Sequence, residues 1–127
     1  MESSKKVGLA LGGGAVRGFA HLGVIQVLLR ESIPIDFVAG TSVGSLIGAA
    51  YCLGMSLDEI LTVSKKITWR KIVRPHWGFD GMVSFRGIRT LIDEIFDTPT
   101  FEGLQTPFSV VATDIDADDG VIISDGL

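Results

Sequence analysis

Residues 40–44 form the pattern Gly-x-Ser-x-Gly, which could position a nucleophile. In this pattern the serine occupies a strained turn between a strand and a helix, and the flanking glycines let a helix and a substrate approach closely. An apolar run at 37–39 precedes the turn, an amphipathic helical pattern follows it, and no proline interrupts them. Ser42 is therefore the candidate nucleophile, with Gly40 and Gly44 as the glycines of the nucleophile elbow.

A second glycine-rich turn, residues 12–18, follows another apolar run and precedes a helical pattern. Acyl transfer produces an oxyanion that needs two or three backbone N–H donors, and a glycine turn at a helix N-terminus supplies them. The ends of neighbouring parallel strands lie about 5 Å apart, so the two turns can face one substrate. Gly13, Gly14 and Ala15 are therefore the candidate donors for chemistry at Ser42.

The same turn leaves a nucleotide-binding alternative open. The strict dinucleotide pattern fails, because its third glycine would fall on Arg17, but a looser spacing, Gly8-x-x-x-Gly12-x-Gly14, exists with Asp36 as the ribose ligand. Asp36 begins the second predicted strand, whereas a ribose ligand belongs at the carboxyl end of a strand. No Gly-Lys-Ser or Gly-Lys-Thr occurs, which excludes a lysine-containing phosphate loop.

A serine nucleophile also needs a base. A triad in the order Ser, Asp, His would use Asp58 and His76, but both follow Ser42 too soon along the chain. His21 precedes Ser42 and falls inside the first predicted helix, where we interpret it as a histidine on the helix face. A histidine-based triad is therefore not expected.

The composition is that of one folded domain, residues 1–127. A net charge of −4 and a pI near 5.0 argue against nucleic acid as a partner, because phosphate binding needs a basic surface. The single cysteine, Cys52, forms no internal disulfide and favours a reducing compartment. No run approaches the roughly 20 apolar residues that cross a bilayer. We expect a cytoplasmic protein that contacts membranes only peripherally.

Apolar runs and helical spacing alternate along the chain, which predicts a mainly parallel α/β sheet. Strands are expected at 7–11 and 35–39, a hairpin at 107–115 and 121–123, and helices at 19–30, 43–53, 57–66 and 84–96. The first strand is continuously apolar, so we expect it inside the sheet. The chain stops just after a strand, so we expect a domain that is incomplete at its C-terminus.

Three stretches together resemble the patatin-like phospholipase family: LALGGGAVRGFAHLGV at 9–24, GTSVGS at 40–45 and PFSVVATD at 107–114. They occur in the family's order and span nearly the whole chain. The resemblance implies a three-layer α/β domain with helices on both faces of the sheet. It further implies a serine acyl hydrolase that works through a serine–aspartate dyad without histidine.

For the site, the resemblance implies Ser42 as nucleophile and the turn from Gly13 to Ala15 as oxyanion hole, with Arg17 and Gly18 supporting that turn. Ala15 stands where the family more often has glycine. The predicted function is that of a lipid acyl-ester hydrolase of the phospholipase or lysophospholipase kind. A nucleotide-binding module and a non-catalytic lipid-binding domain are the alternatives.

The dyad aspartate of the family lies in an Asp-Gly-Gly or Asp-Gly-Ala turn after a further strand. Asp119-Gly120 and Asp125-Gly126 belong to the hairpin that precedes this segment in the family, so we reject both aspartates as the base. The partner of Ser42 is expected beyond Leu127. We therefore predict little or no turnover by this chain alone, because an unassisted serine hydroxyl is a weak nucleophile.

A basic and aromatic cluster follows the third predicted helix in this otherwise acidic chain: Trp69, Arg70, Lys71, Arg74 and Trp77. Tryptophan at headgroup depth and cations near lipid phosphate suit the surface of an anionic membrane. The alternative is a solvated helix end whose tryptophans belong to the core or the active-site mouth. An incomplete sheet also has an unpaired edge, so we expect self-association.

The acidic turn at 114–119 imitates a calcium loop. Asp119 occupies the position where the sharp turn of such a loop needs glycine, and strands rather than helices flank it. We interpret it as a solvated turn and expect neither a metal ion nor a cofactor.

Overall fold

The structure is a computed structural model, and it describes residues 5–66, 85–97 and 100–126. The basic and aromatic cluster from Trp69 to Trp77 and His76 lie outside the described residues. Their predicted roles therefore stay predictions.

The four described strands form one sheet in the order β1 (Gly8–Leu11), β2 (Phe37–Gly40), β3 (Phe108–Asp114) and β4 (Asp119–Ile123). β1, β2 and β3 are parallel, and β4 returns antiparallel to β3. Leu9 pairs with Val38, which in turn pairs with Phe108. The mainly parallel α/β sheet and the closing hairpin are both confirmed.

The helices also lie close to the predicted positions. They are a 3-10 helix (Ala15–Phe19), α1 (Ala20–Arg30), α2 (Val43–Cys52), α3 (Leu57–Lys66), α4 (Phe85–Phe96) and a short 3-10 turn (Phe101–Gly103). α3 begins with a capping box, in which Ser56 Oγ accepts the N–H of Glu59 and the Glu59 carboxylate accepts the N–H of Ser56. Gly54 follows the last turn of α2 with φ at 94°, a left-handed conformation that favours glycine.

One face of the sheet carries the core. The two parallel connections join neighbouring strands in the same direction, so the right-handed crossover rule places their helices on the same face. Val38 and Phe108 on that face are buried against Ile25 of α1 and Ile47 of α2. The helices and side chains on this face form one layer. In this layer the carboxyl ends of β1 and β2 lie against the N-terminus of α2.

The opposite face is uncovered among the described residues. Phe37, Val111 and Ile122 keep 46%, 45% and 71% of their surface exposed. The second helical layer of the predicted three-layer arrangement is therefore not seen in the described part of the chain.

The position of β1 differs from the prediction. Within the described sheet β1 pairs only with β2, and its Gly8 and Ala10 are exposed. The expectation of an inner strand is thus wrong for the described residues. An apolar run indicates that a strand has a buried face, but it does not show how many strands pair with it.

Candidate active site

Ser42 links the end of β2 to the start of α2 in a strained conformation. Its φ is 52° and its ψ is −129°, a region that non-glycine residues rarely occupy. The side chain is exposed and makes no capping bond to α2. Among the described residues no group is hydrogen-bonded to Ser42 Oγ. The hydroxyl is therefore presented to solvent at the carboxyl edge of the sheet.

The elbow glycines allow very close packing. A Cβ on Gly44 would lie 2.2 Å from the carbonyl oxygen of Leu11, and a Cβ on Gly40 would lie 2.7 Å from the carbonyl oxygen of Gly44. Both distances are too short for any side chain, so the first turn of α2 contacts the ends of β1 and β2 through backbone alone. Close backbone packing therefore requires glycine at both glycine positions of the Gly-x-Ser-x-Gly pattern.

The glycine turn lies directly beside the elbow. A Cβ on Gly13 would be 3.2 Å from Ser42 Cβ and 3.8 Å from Ser42 Oγ. Gly14 has φ at 145° and Ala15 has φ at 49°, and the N–H of Arg17 closes the turn on the carbonyl oxygen of Gly14 at 3.0 Å. The structure thus brings together the two turns that the sequence indicated.

The backbone N–H groups of this turn are available as donors. Those of Gly13, Gly14 and Ala15 donate to no backbone or side-chain acceptor among the described residues. Gly18 also packs against the elbow, since a Cβ there would lie 2.4 Å from Cγ1 of Val43. Gly18 therefore lets the 3-10 helix approach the start of α2.

Three polar side chains that were not predicted as site residues hold these turns. Thr41 Oγ1 donates to the carbonyl oxygen of Val111 at 3.2 Å. Ser45 Oγ donates to the carbonyl oxygen of Ser42 at 2.5 Å. His21 Nε2 lies 2.8 Å from the carbonyl oxygen of Gly12. The hydroxyls beside Ser42 were visible in the sequence, whereas nothing in the spacing of His21 indicated its contact.

Asp125 lies at the wrong edge of the sheet to act on Ser42. β4 runs antiparallel to β3, so residues after Ile123 return to the amino end of the parallel strands. There the N–H of Phe101 donates to the carbonyl oxygen of Gly126 at 3.0 Å, and the N–H of Gly126 donates to the Glu102 carboxylate at 2.9 Å. The latter bond lowers the pKa of Glu102.

Asp36 is likewise held away from the glycine turn. Its carboxylate accepts the N–H of Val7 at 2.7 Å, just before β1 and β2 begin. This is the amino end of both strands, whereas the glycine turn follows the carboxyl end of β1. The geometry therefore disfavours the nucleotide-binding alternative that used Asp36 as a ribose ligand.

Other reactive groups are buried or scattered. Cys52 is fully buried in the core, and burial raises the pKa of its thiol to about 12. Within residues 5–66, 85–97 and 100–126, no group of three or more His, Cys, Asp or Glu side chains is placed to hold a metal ion. None of the described helices combines the length and the apolar character that a membrane span requires.

A strained serine between a parallel strand and a helix, beside a turn with free N–H groups, is typical of serine hydrolases with α/β folds. The chain matches the patatin-like phospholipase family over residues 9–125. It belongs to that family.

Similar proteins come from bacteria and animals. An uncharacterized NTE family protein of Mycobacterium tuberculosis is 37% identical over 117 residues, which cover 90% of this chain and 32% of that protein. A neuropathy target esterase of Drosophila grimshawi is 33% identical over 121 residues, which cover 91% of this chain and 8% of that protein. A patatin-like phospholipase domain-containing protein of Caenorhabditis elegans is 33% identical over 117 residues, or 86% of this chain and 8% of that protein. The chain thus spans a third or less of these relatives.

Proposed function

We propose that this chain carries the nucleophile and the oxyanion hole of a lipid acyl-ester hydrolase. The observation that carries the proposal is the conformation of Ser42, whose backbone is strained at φ 52° while its hydroxyl is left without a hydrogen-bond partner among the described residues. Strain of this kind is retained where it serves a function, because the surrounding structure must compensate for its cost.

In the proposed reaction, Ser42 Oγ attacks the ester carbonyl carbon while a base takes its proton. The carbonyl oxygen becomes an oxyanion, which the N–H groups of Gly13, Gly14 and Ala15 stabilise. The N-terminus of α2 begins at Val43 and adds a positive dipole end near the same atoms. When the tetrahedral intermediate collapses, the protonated base returns its proton to the leaving oxygen, so the alcohol departs and an acyl-serine remains. Water then hydrolyses the acyl-serine and releases the fatty acid and free Ser42.

The base in this proposal is an aspartate beyond Leu127, as the family's serine–aspartate dyad implies. None of the described carboxylates or imidazoles is hydrogen-bonded to Ser42 Oγ, and Asp125 lies at the opposite edge of the sheet. Without that aspartate, Ser42 keeps its proton and we expect the chain alone to turn over little substrate.

A lipid substrate is supported by the family and by exposed apolar groups at the elbow's edge of the sheet. Val16, in the 3-10 helix after the glycine turn, is 57% exposed, and Ile115, at the tip of the β3–β4 hairpin, is 89% exposed. The names of the relatives, a phospholipase domain and an esterase, agree with an ester of this class.

Peripheral membrane contact through Trp69, Arg70, Lys71, Arg74 and Trp77 remains part of the proposal, as does a cytoplasmic location. Self-association through the exposed sheet face is a further expectation, with Phe37, Val111 and Ile122 as its apolar groups. Sedimentation of the chain at several concentrations tests it, and a monomer throughout would contradict it.

A fluorophosphonate probe tests the catalytic proposal. A form of the protein that extends past Leu127 through the next strand and its Asp-Gly turn should be labelled, and Ser42→Ala should abolish the label. Ser124→Ala is the matched control, since Ser124 is exposed just after β4, and β3 separates β4 from the strand that leads to Ser42. It should be labelled like the parent protein.

Absence of labelling in the longer form would refute the hydrolase. Liposome binding without labelling would favour the non-catalytic lipid-binding alternative. Retention on immobilised nucleotide would favour the nucleotide-binding module.

A further inference from the structure

His21 makes a defined contact with the glycine turn. It lies in the first turn of α1, is partly buried, and has Nε2 2.8 Å from the carbonyl oxygen of Gly12. A backbone carbonyl can only accept a hydrogen bond, so Nε2 must carry the proton and donate it. No other described group donates to Gly12.

This bond restrains a peptide that lies between two glycines. A Cβ on Gly12 would meet nothing within 4 Å, so the space beside its Cα is open, although its carbonyl oxygen lies close to the backbone of Gly44, 2.6 Å from where a Cβ on Gly44 would be. Gly12 and Gly13 also lack the side chains that limit backbone rotation in other residues. The contact with His21 is therefore the one hydrogen bond among the described residues that orients the peptide between them, and it adds to the packing of the Gly12 carbonyl oxygen against Gly44.

The orientation of that peptide sets the direction of a proposed oxyanion donor. In a planar trans peptide the carbonyl group of Gly12 and the N–H of Gly13 point in opposite directions. Gly13 adjoins the nucleophile, since its Cβ would lie 3.8 Å from Ser42 Oγ. Because His21 holds the carbonyl group of Gly12 towards α1, the N–H of Gly13 points to the other side of the turn.

We infer that His21 is a positioning residue, which donates Nε2–H to the Gly12 carbonyl and thereby orients the N–H of Gly13 for the oxyanion formed at Ser42. The inference rests on the proposed function. His21 is not hydrogen-bonded to Ser42 Oγ, and its described contact is with the backbone of the turn.

Nuclear magnetic resonance of this chain tests the contact without requiring turnover. His21→Phe keeps a ring and removes the donor, whereas His21→Gln retains an amide N–H at a similar reach. Gln26→Ala, on the exposed side of α1, is the control. We expect a protonated Nε2 in the parent chain, shifted Gly12 carbonyl and Gly13 amide resonances with new exchange broadening in His21→Phe, and near-parent resonances in His21→Gln and Gln26→Ala.

An unprotonated Nε2, or unchanged Gly12 and Gly13 resonances in His21→Phe, would overturn the inference. Failure of His21→Gln to restore resonances that His21→Phe had changed would also count against it, since a bulky ring replacement could act by packing alone. Thermal melting of each variant shows whether the spectra were recorded on folded protein.

The kinetic test uses the longer form that the fluorophosphonate probe labels. Loss of a whole oxyanion donor costs about 100-fold to 1,000-fold in kcat, so a misdirected one in His21→Phe should lower kcat about 10-fold to 100-fold. KM should change little, and His21→Gln should recover most of the rate. A raised KM with unchanged kcat would refute the oxyanion role.

The failure of the two proposals can be distinguished. If no form of the protein is labelled at Ser42, the proposed function fails and the oxyanion role of His21 fails with it. If labelling occurs but is equally fast in His21→Phe, only the inference about His21 fails.

Discussion

The contact of Gly44 with the end of β1 predicts a large cost for Gly44→Ala. The new Cβ would lie 2.2 Å from the carbonyl oxygen of Leu11 and 2.6 Å from that of Gly12. Because Cβ atoms do not approach closer than 3.0 Å, α2 or the strand end must move by at least 0.8 Å, the difference between 3.0 and 2.2 Å. Overpacking of this kind costs about 1–3 kcal/mol.

The displaced carbonyl is also a hydrogen-bond acceptor. Leu11 accepts the N–H of Thr41 at 3.1 Å, and a shift that weakens this bond adds about 1 kcal/mol. The expected loss in the free energy of unfolding is therefore about 2–4 kcal/mol in total. Since the shift falls on the residues flanking Ser42, labelling by fluorophosphonate in the longer form should fall as well.

Gly23→Ala supplies the matched control for the same chemical change. Gly23 lies inside α1, and a Cβ there would meet nothing within 4 Å. Alanine is a better helix former than glycine, so this variant should be more stable by about 1 kcal/mol. Urea unfolding followed by circular dichroism measures both variants. The steric reasoning is wrong if Gly44→Ala is as stable as the parent or shifts in the same direction as Gly23→Ala.

Two further predictions concern Ala15 and Cys52. Ala15→Gly should stabilise the chain by about 1 kcal/mol, because φ at 49° is costly for alanine, while Ala20→Gly, at φ −60°, should destabilise it in the same urea assay. Burial raises the pKa of the Cys52 thiol from 9.0 to about 12, so its contribution to stability is fully present below pH 9 and is lost as the pH rises towards 12. Cys52→Ala should therefore reduce the loss of unfolding free energy between pH 9 and 12. In the folded parent chain, Cys52 should resist alkylation at pH 8. Rapid alkylation would contradict the burial of the thiol.

The sequence predicted the elements of the fold well because local signals determine them. The capping box at Ser56 and Glu59 fixed the start of α3, and the β-branched run before the acidic turn indicated the β3–β4 hairpin. The predicted inner position of β1 was wrong for the described sheet, because that position depends on which strands are neighbours. A run such as residues 7–11 shows that a strand is apolar, but pairing is set by parts of the chain far away in sequence.

The sequence predicted that the two turns meet at one edge of the sheet, but the contacts that hold them there required the structure. The Gly-x-Ser-x-Gly spacing pointed to Ser42, and the glycine turn pointed to free N–H groups. Neither signal could show the contact of Thr41 with Val111, which are 70 residues apart, because a side chain to carbonyl bond leaves no periodic pattern. His21 was missed for the same reason, since its partner is a backbone atom.

The contacts around Ser42 explain how its strained backbone can persist. Thr41 is bound on both sides, by its N–H to Leu11 of β1 and by its hydroxyl to Val111 of β3. The carbonyl oxygen of Ser42 accepts both the N–H and the hydroxyl of Ser45. Relaxing φ of Ser42 would therefore require several hydrogen bonds and the Gly44 contact to break together. The proposed nucleophile is thus positioned by the described residues themselves, so the proposed base would need only to remove its proton.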